Sequence, residues 1–249
     1  SGYTPLPPAR ILDTRAGTGA PKAKVAAQTS IPLTIEGADS GALPATGITA
    51  VALHVTETDA TGGAFLSVYP DGEDVPSTSS LNFATGSTVS NTVIVPVGSD
   101  GAVRLYNGAL TGSIDVIADV AGYYSTDSTG AYVPVGPTRI VDTRTSSPMG
   151  NGSKIVVTPS SLDSAIPSTA DAYAANLTVT APTASGVIIA YPAGSTQPST
   201  SNLNYGKGQT VAGLSQVSAG TSGSFVVLNQ ETSGTVQMIV DVSGYYTSY

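Results

Sequence analysis

The chain has 249 residues, a formal net charge of −8, one histidine, and neither cysteine nor tryptophan. Nine Lys and Arg against seventeen Asp and Glu leave no basic footprint for nucleic acid and none for electrostatic docking on anionic lipid. The missing cysteines exclude a disulfide framework and thiolate metal sites, and no apolar run is long enough to span a bilayer.

The first strand expected in chain order carries Arg10-Ile11-Leu12-Asp13-Thr14-Arg15. Apolar and polar residues then alternate with a period of two over residues 30–35, 48–58, 64–69, 89–97, 102–106 and 113–120. Such alternation marks half-buried strands rather than helices. Turn signals separate them: Asp59-Ala60-Thr61-Gly62-Gly63, Pro70-Asp71-Gly72, Ser99-Asp100-Gly101 and Asn107-Gly108. The block closes on Asp119-Val120-Ala121-Gly122-Tyr123-Tyr124, and a short polar stretch, Ser125 to Gly130, follows.

The block then repeats. Arg139-Ile140-Val141-Asp142-Thr143-Arg144 copies the opening, and Asp241-Val242-Ser243-Gly244-Tyr245-Tyr246 copies the close. From His54 to Tyr124 the first half matches Asn176 to Tyr246 without a gap, at a shift of 122 (176 minus 54). The openings are offset by 129 (139 minus 10), so the second half has lost seven residues between Arg144 and Asn176. Length changes of that kind belong in surface connections. The expectation is an all-β chain of two tandem homologous β-sandwich domains, jelly-roll or Ig-like, with little or no helix. The only helical hint is near Leu162 to Ala165, and at most a single turn is expected there. The domains are placed at residues 1–125 and 132–249, with a linker at 126–131.

Strand alternation puts Ile11, Asp13 and Arg15 on one side and Arg10, Leu12 and Thr14 on the other. A carboxylate inside an apolar strand needs a partner, and arginine's bidentate fork is the usual one. An ion-pair clasp between opening and closing strands is therefore expected, built from Arg10, Asp13, Arg15 and Asp119. Arg139, Asp142, Arg144 and Asp241 would form its copy. The competing reading makes Asp13 and Asp119 a glycosidase-like acid and base pair, ~5–10 Å apart. Arginines beside each carboxylate favour the clasp, because they keep both groups ionised.

Other chemistry is scarce. His54 is the single histidine, and its copy is Asn176. Neither a nucleophile elbow before a helix nor a phosphate-binding glycine loop is present. Asp71, Glu73 and Asp74 form an acidic turn in the first half only. Calcium favours clustered oxygens on such turns, but the spacing matches no EF-hand, and a solvated loop is the plainer reading. No cofactor is expected. The best ligand-site candidate is the shared loop Tyr-Pro-x-Gly…Pro-Ser-Thr-Ser-x-Leu-Asn-(Phe/Tyr). It supplies Tyr69, Asn82 and Phe83 in one half and Tyr191, Asn204 and Tyr205 in the other. Aromatic faces beside amides and hydroxyls suit sugar recognition. The same residues could equally pack a hairpin and satisfy turn backbone.

Taken together, the P-x-R-(I/L)-(L/V)-D-T-R opening, Y-P-x-G, P-x-T-S-x-L-N-(F/Y) and the D-V-x-G-Y-Y close resemble a tandem repeat module of secreted actinobacterial surface proteins. The likeness covers both halves, with departures at Gly213 for Asn91 and Ser218 for Pro96. It implies export and an accessory, non-catalytic role, and names no ligand. The Ser-Gly start is read as the mature portion of an exported protein, or an excised module of one. The functional expectation is an extracellular, lectin-like binding module for carbohydrate or cell-envelope polymer, with two duplicated weak sites whose avidity would come from effective concentration. The alternative is a structural spacer or protein–protein interaction module of a larger secreted assembly. No enzyme activity, nucleic-acid partner or membrane insertion is expected.

Overall fold

The computed structural model describes residues 1–231 and 233–248. It is all-β, with two similar sandwich-like halves and only single 3-10 turns as helix. One of these turns, Pro159–Ser161, lies just before the expected helical hint.

The first unit contains the part of β1 (Gly2–Asp13) from Ala9 onward, β2 (Val25–Ala26), β3 (Thr29–Thr34), β4 (Ile48–Thr58), β5 (Ala64–Pro70), β6 (Leu81–Phe83), β7 (Val89–Pro96), β8 (Ala102–Asn107) and β9 (Ser113–Ser125). One sheet runs β1-β9-β4-β7, with β2 added on β9, and the other runs β3-β8-β5-β6. The second unit repeats this with β10 (Ala131–Asp142), β11 (Met149–Gly150), β12 (Lys154–Val157), β13 (Ala172–Thr180), β14 (Gly186–Pro192), β15 (Leu203–Tyr205), β16 (Val211–Ser218), β17 (Phe225–Glu231) and β18 (Thr235–Thr247). Its sheets run β10-β18-β13-β16, with β11 on β18, and β12-β17-β14-β15.

Leave out the two-residue strands β2 and β11, and each unit has eight strands. In each, first neighbours last, second neighbours seventh, third neighbours sixth, and fourth neighbours fifth. A long antiparallel ribbon rolled on itself gives that pairing, which is the jelly roll rather than the Ig arrangement.

The second unit's core joins both sheets. Tyr173, Leu177, Val179, Val240 and Met238 from one sheet meet Ile188, Phe225 and Val227 from the other. Burying each such apolar side chain contributes ~1.5–3 kcal/mol. The Tyr173 ring lies 5.6 Å from that of Phe225, and its hydroxyl donates to the Gly223 carbonyl. In the first unit, Val51, Leu53, Val55, Val116, Ala118 and Val120 are fully buried at the corresponding positions.

The seven-residue deletion resolves into two places. Val25 pairs with Ile114 and Met149 with Val236, an offset of 124 (149 minus 25). Leu33 pairs with Val103 and Val157 with Phe225, again an offset of 124 (157 minus 33). Five residues are therefore lost between Arg144 and β11, and two between β12 and β13.

The division between units falls at Ser128/Thr129, and residues Gly2–Pro8 group with the second unit. This corrects the expected first domain of residues 1–125 at its start. Tyr3 donates its amide to the Gly130 carbonyl at 2.7 Å, its ring lies 4.5 Å from that of Tyr246, and the Ser218 hydroxyl donates to the Leu6 carbonyl at 2.7 Å. In the expected linker, the Ser125 and Ser128 hydroxyls lie 2.8 Å apart and close a turn.

Candidate functional site

The opening and closing motifs lie side by side, because β1 neighbours β9 and β10 neighbours β18. Arg10 donates Nε and Nη2 to the two oxygens of Asp119 at 2.8 and 3.2 Å. Its Nη1 stands 3.5 Å from Asp13. Arg15 grips Asp13 bidentately at 2.9 and 2.8 Å. The copy repeats this, with Arg139 on Asp241 at 2.8 and 3.1 Å and Arg144 on Asp142 at 2.9 and 2.6 Å.

Two local features differ from the simple alternation. A β-bulge between Arg139 and Val141 brings Arg139 opposite Asp241 and Asp142 opposite Ile239, so Arg139 and Asp142 share a face although three residues apart. Arg10 correspondingly reaches both carboxylates instead of lying on the far side. The strand also stops at Asp13, whose carbonyl accepts from Gly17 and Thr18. Arg15 therefore curls back within a turn, which Gly19 seals. A Cβ at Gly19 would lie 2.0 Å from the Ile11 carbonyl oxygen. The Arg15 hydrogen bond, against the opposing pull of burial, holds the Asp13 carboxyl below its ordinary range. The Arg144 hydrogen bond brings Asp142 to about 2. Arginine hydrogen bonds that favour the ionised carboxylate are the opposite of what a general acid needs.

The loop aromatics are not a ligand platform. Tyr69, Phe83, Tyr191 and Tyr205 are all buried. Tyr191 packs with Ile189, Val226 and Leu228. The Tyr205 hydroxyl donates to Asn229 Oδ1 at 2.5 Å, with Glu231 at 3.4 Å. Only Asn82 is exposed, while Asn204 is half-buried. All four aromatics are less than a tenth exposed, which leaves no ring face free for a sugar.

The acidic turn does not assemble a cation cage either. Asp71 is taken by Arg104 at 2.6 Å and by the Gly72 amide at 2.8 Å, while Glu73 and Asp74 point to solvent. Among the described residues, no cluster of three or more His, Asp or Glu side chains is arranged for a metal.

Two buried ionisable groups set the first unit apart from its copy. Glu57 is fully buried, neither carboxylate oxygen has a hydrogen-bond partner, and its copy is the core residue Val179. Burial, helped by the charge of Asp59, pushes its carboxyl up to about 7. His54 sits opposite Asp119 and Thr92 in the sheet. Its Nδ1 is 3.3 Å from the Thr92 hydroxyl, and Nε2 is buried without a partner. Burial lowers the imidazole to about 4, so it is neutral at pH 7. A triad base needs access to a nucleophile and substrate, which this ring lacks.

An open concavity lies elsewhere, in the second unit. A cleft of about 560 Å³ is walled by the N-terminal segment (Pro5, Pro7), the approach to β13 (Ser168, Asp171), the β14 end (Pro192, Ser195), and Ser248. That size falls within the ~300–1,000 Å³ of small-molecule sites. Asp171 is fixed in place on both sides. Its amide donates to the Tyr246 carbonyl, and its own carbonyl accepts from Ala219, each at 2.8 Å. Its Oδ2 accepts the Ser248 amide at 2.6 Å and the Ser248 hydroxyl at 2.8 Å. Sequence reasoning reached this neighbourhood only through the Tyr-Pro-x-Gly motif, whose Pro192 lines the cleft while Tyr191 turns inward. The aligned position in the first unit is Thr49, whose hydroxyl already contacts the Tyr124 carbonyl at 3.1 Å. The first unit's own hollow, about 480 Å³, lies instead beside Arg10, Thr34, Glu36 and Asp39. These two hollows are lined by residues at different positions of the repeat.

No protein-family model and no curated protein matches the chain. Among solved structures, the atomic structure of Sulfolobus turreted icosahedral virus is similar over 98% of this chain and 91% of that one, at 8% identity and a TM-score of 0.23. A likeness at that score carries no argument.

Proposed function

We propose that this chain is a non-catalytic extracellular binding module for carbohydrate or cell-envelope polymer. The observation that carries the reading is the cleft of the second unit. Its hydroxyls from Ser168, Ser195 and Ser248 and the carboxylate of Asp171 offer hydrogen-bonding partners, while the rings of Pro5 and Pro7 offer C–H surface. A sugar presents both kinds of group. The arginine-saturated carboxylates and the buried neutral histidine support a role without chemistry. The motif resemblance to secreted actinobacterial modules supports export and display at the cell surface.

The test is binding of the full chain to a broad glycan array and to purified cell-wall material. Asp171→Ala is expected to weaken binding while leaving the melting temperature within a degree or so. If neither array nor wall retains the wild-type chain, the reading fails.

The spacer or protein-interaction reading is favoured by one observation. Ile94 on β7 and Leu214 on β16 are about half exposed, and both strands end their sheets. Exposed aliphatics on sheet edges suit pairing with another protein. Concentration-dependent association in sedimentation experiments, abolished by Ile94→Lys or Leu214→Lys, is the outcome expected of that role.

A further inference from the structure

We infer that the cleft of the second unit selects an amine-bearing saccharide, a sugar carrying a free ammonium group, over its neutral or acidic relatives. The inference rests on the carbohydrate reading above and names the ligand class for the same site.

The argument is one of charge and geometry. Among the described residues that line the cleft, Asp171 is the one carboxylate, and none is a Lys or Arg. Both hydrogen bonds from Ser248 go to Oδ2. Oδ1 has no partner among the described residues and retains its full accepting capacity. The backbone anchors on either side of Asp171 hold that carboxylate in one place before any ligand arrives, which lowers the ordering cost of binding. Elsewhere in the chain the aspartates of the strand motifs are each neutralised by arginine. Asp171 has no such counter-ion. A half-buried carboxylate beside hydroxyls, with one open oxygen and no cation, is complementary to an ammonium held on a polyol frame. The chain's net charge of −8 adds a long-range attraction for cations. The first unit, with Thr49 at this position, lacks the selector.

A hydrogen bond between charged groups contributes ~1.5–3 kcal/mol, which corresponds to an affinity difference of about tenfold to a hundredfold. The experiment compares glucosamine oligomers with N-acetylglucosamine oligomers of equal length by calorimetry on the full chain, alongside Asp171→Asn. Tighter binding of the free-amine oligomer by at least tenfold, lost in D171N and suppressed by salt, is the expected result. Equal binding of the two oligomers, or preference retained in D171N, overturns the inference and leaves the carbohydrate reading standing. A lysine-rich peptide that binds as tightly as the amino sugar also overturns it, because the hydroxyl lining would then contribute no selection. If no saccharide of any kind binds, the carbohydrate reading itself has failed.

Discussion

Replacing Glu57 by valine, the residue at the same position of the second unit, should stabilise the first unit, and by more at high pH than at low. The buried carboxyl titrates near 7 in the folded chain, against 4.5 when exposed. Between those values the folded state holds a proton that the unfolded state has released. Unfolding free energy therefore falls as pH rises from 4.5 to 7 and stays lowered above that. The 2.5-unit difference (7 minus 4.5), at ~1.36 kcal/mol per unit, corresponds to about 3 kcal/mol. At pH 4 the carboxyl is neutral in both states. The variant then gains only ~1–3 kcal/mol, from removing an unsatisfied buried polar group. Urea unfolding at pH 4 and pH 8, followed by circular dichroism, measures both gains. A stabilisation by Glu57→Val that is the same at both pH values would refute the argument, since it would mean that the buried carboxylate ionises as freely as an exposed one.

His54 has the opposite sign. Its imidazole is lowered from 6.5 to about 4, so stability is lost as pH falls through that window, again by about 3 kcal/mol. His54→Asn, the copy's residue, should remove this acid sensitivity, and Glu57→Val alone should uncover it, because the two slopes oppose each other where their windows overlap. The two clasps should differ in cost. Asp119 is 3% exposed and Asp241 26%, so Asp119→Ala strands a partly buried Arg10 and costs ~3–5 kcal/mol, whereas Asp241→Ala costs ~0–1 kcal/mol. Equal losses in a calorimetric melt would sink that distinction. Tyr205→Phe should cost ~1–3 kcal/mol by leaving Asn229 and Glu231 short of a donor. Adding Glu231→Ala reproduces the Phe83 and Ala109 of the first unit and should recover part of that loss, a coupling readable from a double-mutant cycle.

Much of the architecture follows from local pattern alone. Alternation with a period of two identifies strands because adjacent side chains in an extended chain point to opposite faces. The 122-residue shift between the halves sets the repeat, and charged residues in otherwise apolar strands marked the clasp. Those features depend on neighbours along the chain. The partners of the charges did not: a single bulge at Arg139 reversed one face assignment, and alternation holds no record of a bulge.

The tertiary structure decided what covers each face. Tyr69 and Tyr191 look like ligand-stacking residues in sequence, yet both are buried, and Tyr191 lies among Ile189, Val226 and Leu228, two of them from a strand distant in sequence. Glu57 looks like one polar residue in an alternating strand. Its position on the core face, where the copy has valine, makes it a titrating group with no partner. The cleft depends on residues as far apart in sequence as Pro5, Asp171 and Ser248. Its wall exists because Gly2–Pro8 packs with the second unit. Sequence alone thus determined the strands, the duplication and which charged residues the clasp would use, all short-range or repeated signals. Which surfaces remain open to a ligand was decided only when each unit had packed its own strands, since exposure is a property of the folded unit.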